Sequence, residues 1–151
     1  MNINDMILTL LKSMTFWVLT LNFIFNFQVL QYMLIVLITW GTILYIRRMQ
    51  EDNYDTNGKI SYTIGHLTLH IFLPIFLLYW RQTFKRSLTL NNFLIGILVG
   101  LFYILISDIN RVYDCSKQRV LLETGLLWIM IFFSSRFFVD KKLFYLDKIE
   151  E

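Results

Sequence analysis

Charge is nearly absent from four long stretches of this chain. Between residues 6 and 46 the only charged side chain is Lys12; residues 61–80 and 87–107 hold none, and residues 124–135 lie uncharged between Glu123 and Arg136. A helix crosses a hydrocarbon core of about 30 Å with about 20 mostly apolar residues, so the pattern predicts spanning helices near 61–80, 90–109 and 120–138. The first run is too long for one simple span: residues 13–46 as a single helix would measure about 51 Å at 1.5 Å per residue. Including residues 6–12 gives two helices, near 6–25 and 29–46, with a turn at Asn26-Phe27-Gln28, where side-chain amides can satisfy backbone groups. The favoured reading is therefore an all-α bundle of five transmembrane helices with short loops, forming one polytopic domain over 1–151. Its alternative has four helices, one of them long and tilted over 13–46, with Asn22 and Asn26 at i, i+4 facing a neighbouring helix.

Composition makes a soluble fold untenable. Of 151 residues, 56% are hydrophobic and 17% aromatic, more apolar surface than a domain of this size can hide. Aromatic residues stand near the run ends (Tyr45, Tyr62, Tyr79, Trp80 and Tyr113), as expected of rings anchored at a membrane interface. The N-terminus does not resemble a signal peptide, having no basic residue before Lys12. Under the five-helix reading, Lys and Arg divide seven and seven between the two sides; the four-helix reading moves Lys12 across and favours a cytoplasmic C-terminus. The expected location is a bacterial or organellar inner membrane. A single cysteine, Cys115, excludes an intramolecular disulfide and a Cys-rich metal site. Basic residues are scattered rather than striped, which argues against direct nucleic-acid binding.

Both histidines fall in the segment Gly65-His66-Leu67-Thr68-Leu69-His70-Ile71-Phe72-Leu73-Pro74. At i, i+4 they share a helix face, and two imidazoles make an incomplete metal site. The predicted topology puts Asp108, Asp114, Cys115 and Glu123 on the same side of the membrane, so this group is the candidate metal or catalytic cluster. Against it stands interhelical hydrogen bonding, the favoured reading, with no cofactor predicted. Pro74 lacks an amide hydrogen and would clash with the His70 carbonyl, predicting a kink. Gly96 and Gly100 form a small-xxx-small pair expected to admit a close helix neighbour. Glu123 and Arg136 bracket the last helix as end anchors, with Arg136 snorkelling. Residues Asp108, Arg111, Asp114 and Lys117 alternate in sign every three positions, predicting a helix that continues beyond the membrane. Arg111, Asp114, Lys117, Lys141 and Lys142 offer charged surfaces for partner docking.

The segment Leu19-Thr20-Leu21-Asn22-Phe23 and the histidine segment loosely resemble the threonine and histidine motifs of the androgen-induced membrane hydrolases. The resemblance covers about 20 residues; the histidine spacing differs, and the family's aromatic-proline motif is absent. It implies Thr20 as nucleophile and His66 or His70 as its base, acting on lipid esters. The favoured functional expectation is instead a small membrane subunit, with the lipid bilayer, a second copy and a larger protein as its partners. It would serve as anchor or sensor in, for example, a bacterial defence pair or a respiratory or transport assembly. A lipid-acting hydrolase, a metal-dependent enzyme and an ion channel or transporter component are the alternatives.

Overall fold

A computed structural model describes residues 3–50, 55–113 and 115–140. Among them every regular element is helical: α1 (Ile3–Lys12), α2 (Met14–Ile24), α3 (Gln28–Met49), α4 (Thr56–His66), a π-helical segment (Leu67–Phe72), α5 (Leu73–Trp80), a 3₁₀ turn (Thr83–Lys85), α6 (Leu90–Ile106), α7 (Ile109–Tyr113) and α8 (Lys117–Asp140). Three helices are long and apolar enough to cross a membrane: Gln28–Met49, the continuous Thr56–Trp80, and Lys117–Phe137. Two shorter apolar helices, Met14–Ile24 and Leu90–Ile106, accompany them.

Helix α3 is the axis of the bundle. It packs against α2, α4, α5, α6 and α8, and its buried residues include Leu30, Tyr32, Leu34, Leu37, Trp40 and Leu44. A helix apolar all round is stable only when surrounded, and α3 has that sequence and that position.

The long first run breaks at Phe25–Phe27, so residues 13–46 are not one helix. The cause is a set of side chains that bind backbone ends at this turn. Arg81 donates from Nε and Nη2 to the Asn22 carbonyl (3.1 and 2.9 Å) and from Nη2 to the Phe23 carbonyl (3.0 Å), closing the last turn of α2. Gln31 donates to the Asn26 side chain. Gln28 donates to the Ser87 carbonyl (2.9 Å) and accepts from the Thr89 amide and the Asn92 side chain (3.2 and 2.8 Å). The turn thus forms where the amides stand, and a basic residue from another helix completes it.

A second break divides the expected 6–25 helix at Ser13, whose backbone is extended. The freed Met14 amide donates to the hydroxyls of Tyr103 and Tyr113, both at 3.1 Å, while Tyr103 donates to the Lys12 carbonyl at 2.6 Å. Nor does the charged 108–117 stretch prolong α6. That helix ends at Ile106, Ser107 is extended, and α7 starts anew at Ile109. Turning the chain here buries Ile109 completely beside Trp40, Leu44, Ile104 and Val120. Burying such a side chain is worth about 1.5–3 kcal/mol, against a few tenths for each helical charge pair, so packing overrides the charge pattern.

Pro74 is accommodated by a change in the helix that precedes it. The segment before it, Leu67–Phe72, is π-helical, and the Leu73 amide donates to the Thr68 carbonyl, one residue further back than in an α-helix. Widening the helix is one way to accommodate a residue with no amide to donate and a ring that crowds the preceding turn. Pro74 then sits buried in the first turn of α5.

Candidate functional site

The π segment presents the histidines to α3. The His66 ring stacks on Tyr45 with centroids 4.5 Å apart and planes within 10°; His70 follows at 5.5 Å, and Tyr62 lies on Tyr45 at 5.8 Å. Tyr45 and Thr63 share a hydroxyl hydrogen bond of 2.8 Å that fixes the column to α4. His70 reaches the α3 backbone because residue 41 is glycine: a methyl group there would stand 2.7 Å from His70 Nδ1. That nitrogen is buried. The pair is therefore a packed aromatic stack rather than an open imidazole site. Ring stacking on Tyr45 of α3 supplies part of the interhelical contact.

Helix α3 separates this stack from Glu123. Gly41 and Tyr45 turn towards the histidines, whereas Trp40 and Arg47 turn towards α8. Glu123 Oε2 accepts from Trp40 Nε1 at 2.8 Å and from Arg47 Nη1 at 3.0 Å; Oε1 accepts from Arg47 Nη2 at 2.7 Å and from Arg119 Nε at 3.1 Å. The fork-on-fork geometry of Arg47 is the strong form of an ion pair, and an indole donor adds to it. Glu123 is thus a clasp between α3 and α8, not a member of a histidine cluster. Sequence reading placed it as an end anchor; the available signal was Trp40 and Arg47 seven residues apart on one face of α3, opposite a lone carboxylate in an apolar helix.

Among the described residues no group of three or more His, Cys, Asp or Glu side chains comes together to hold a metal ion. Asp108 is exposed. Thr20 lies near the end of α2, whose Asn22 carbonyl is bound by Arg81, eleven residues beyond His70.

An apolar cavity of about 270 Å³ lies on the far side of α3, between α2, α3, α6, α7 and α8. Met33, Leu37 and Trp40 form its inner wall, while Leu101, Leu121 and Ile129, all exposed, border it on the outside. The two motif glycines have different surroundings here. A methyl group at Gly96 would fall within 2.7 Å of Trp128 Cε2, whereas one at Gly100 or Gly125 would meet no atom within 4 Å. Gly96 therefore seats a tryptophan from α8 rather than another helix backbone, and Gly100 opens into the cavity. The Trp128 ring is held by its Nε1 donating to the Phe93 carbonyl at 2.9 Å. At one end of the cavity stand the hydroxyls of Tyr103 and Tyr113, 3.2 Å apart. Desolvation, followed by the neighbouring Tyr103, raises the Tyr113 phenol above its ordinary value and keeps it protonated.

The remaining sequence-predicted positions are structural where they can be described. Asn22 is fully buried and donates to the Val18 and Leu30 carbonyls at 2.8 and 3.1 Å, while Asn26 is exposed beside Gln31. Arg136 donates to the Leu88 and Phe132 carbonyls and covers the Phe132 ring at 4.0 Å, engaging backbone rather than only snorkelling. Lys117 donates to the Leu105 carbonyl at 3.0 Å. Asp114, Lys141 and Lys142, together with the Arg111 side chain, lie outside the described residues.

These features define an all-helical chain with three helices suited to crossing a membrane. Compared with protein-family models, curated proteins and solved structures, it matches none.

Proposed function

We propose that this chain is a small multi-spanning membrane subunit that self-associates or docks a larger partner, as the anchor or sensor component of a complex. One observation carries the reading: large apolar side chains cover the outer faces of α6 and α8, while several polar side chains are buried. Helix α6 exposes Leu94, Leu98, Phe102 and Leu105, the last at 70%, and α8 exposes Leu122, Leu126, Met130, Phe133 and Phe137. Asn22, Gln31, His66 and Ser135 are buried instead. Water penalises that arrangement, whereas lipid or a partner helix favours it. Five crossings, with α2 and α6 as the shorter ones, and a cytoplasmic C-terminus in an inner membrane complete the proposal.

The amides of Asn22, Asn26, Gln28 and Gln31, which a polar path through the bundle would call on, make local bonds around the α2–α3 turn. The deciding experiment is native mass spectrometry of the gently solubilised full chain, with co-purifying proteins identified. A homo-oligomer or a stoichiometric protein partner is the expected result. A monomer with no protein partner that hydrolyses lipid esters would refute the proposal.

A further inference from the structure

We propose that the cavity between α6 and α8 is a binding site for one acyl chain of an anionic phospholipid. The inference rests on the membrane residence of the chain proposed above.

Its first support is shape and chemistry together. A void of about 270 Å³ walled by Met33, Leu37, Trp40 and Trp128 offers hydrocarbon contacts. Apolar cavities of such size stay dry and accept apolar guests. The outer border is formed by exposed side chains of α6 and α8, the faces that would meet acyl chains in a bilayer. A lipid tail can therefore enter sideways, without crossing the interior.

The second support is the polar end. Tyr103 and Tyr113 line the cavity and present their hydroxyls where the chain passes from α1 to α2. Lys12 belongs to this end, because its carbonyl accepts the Tyr103 hydroxyl. Lys117 does too, since its Nζ donates to the carbonyl of Leu105, two residues beyond Tyr103. Lys12 and Lys117, both exposed, are thus the cations this end offers, Arg119 being paired with Glu123. A phosphate with a net negative charge is drawn to such an end by lysine ammonium groups, which act as point charges. The tyrosine hydroxyls are engaged with Lys12, Met14 and each other, so the lysines are what a headgroup meets, and an apolar slot ending in lysines matches a tail joined to an anionic head. It discriminates against a zwitterionic lipid, whose ammonium group would face the same cations.

The test reconstitutes the full chain in nanodiscs of equimolar phosphatidylglycerol and phosphatidylcholine, releases it into mild detergent and weighs the retained lipid by native mass spectrometry. The wild type is expected to keep one phosphatidylglycerol in about tenfold preference over phosphatidylcholine. Gly125→Leu, and separately Gly100→Leu, place a side chain in open cavity space and should lower retention about tenfold. Lys12→Gln with Lys117→Gln should abolish the preference for the anionic lipid without filling the slot. Cavity-filled variants that keep the lipid like wild type, equal retention of both lipids, or wild type retaining none would each overturn the site. Carbonate extraction separates this outcome from failure of the membrane reading: protein washed off the membrane refutes residence, whereas membrane-retained protein without lipid refutes only the cavity.

Discussion

The contrast between Gly96 and Gly100 is the sharpest test of the packing. Both belong to one small-xxx-small motif on one helix, yet only residue 96 is in contact. Gly96→Ala would place its methyl carbon within 2.7 Å of Trp128 Cε2. The Trp128 side chain is 6% exposed and tied by the hydrogen bond to Phe93, and its ring lies parallel to that of Phe93 with centroids 6.1 Å apart. It cannot give way without disturbing several neighbours. Overpacking a filled site costs about 1–3 kcal/mol, and losing a hydrogen bond adds about 1 kcal/mol, so a destabilisation of about 2–4 kcal/mol is expected. Gly100→Ala meets no atom within 4 Å and exchanges glycine for the best helix former. Its effect should lie between neutral and a gain of about 1 kcal/mol. The assay is denaturant titration in mixed micelles followed by tryptophan fluorescence, with Trp128→Phe as a control that relieves the clash. Equal midpoints for the two alanine variants would refute the assignment of Gly96 to the Trp128 seat, as would failure of Trp128→Phe to lessen the cost at position 96.

Two further outcomes follow from the interhelical contacts. Glu123→Gln leaves the Arg47 and Arg119 guanidiniums without their carboxylate; because Glu123 and Arg47 are 20% and 34% exposed while Arg119 is 53% exposed, the loss should be about 2 kcal/mol, carried chiefly by Arg47 and between surface and buried ion pairs. A double-mutant cycle with Arg47→Gln should show a coupling of at least about 1 kcal/mol, and additive losses would count against the clasp. Gly41→Ala should destabilise by about 1–3 kcal/mol through its clash with His70, and His70→Ala should remove most of that penalty in the double variant. Thermal unfolding of the four proteins in one detergent decides it: a penalty unchanged by the loss of His70 contradicts the stack.

Much of the fold was legible because solvent preference is written locally. Uncharged runs marked the apolar helices, and the polar amides between Asn22 and Gln31 marked a turn that neither Gly nor Pro signals. That information resides in the chain because a charge in hydrocarbon and an unsatisfied backbone group are each penalised wherever they occur. What the sequence could not contain was the rotation of one helix against another. The positions of Trp40 and Gly41 differ by a single residue, and only packing sends the first to Glu123 and the second to His70. The same rotation parts the histidines from Glu123 across α3, and it gives Gly96 a neighbour while leaving Gly100 facing a cavity. The breaks at Ser13 and Ser107 belong to the tertiary structure as well: the first is sustained by tyrosines about ninety residues distant in the chain, the second by burial of Ile109. Periodicity fixes which residues share a face, but which face meets which neighbour is decided by the summed contacts of the whole bundle, a quantity no local pattern encodes.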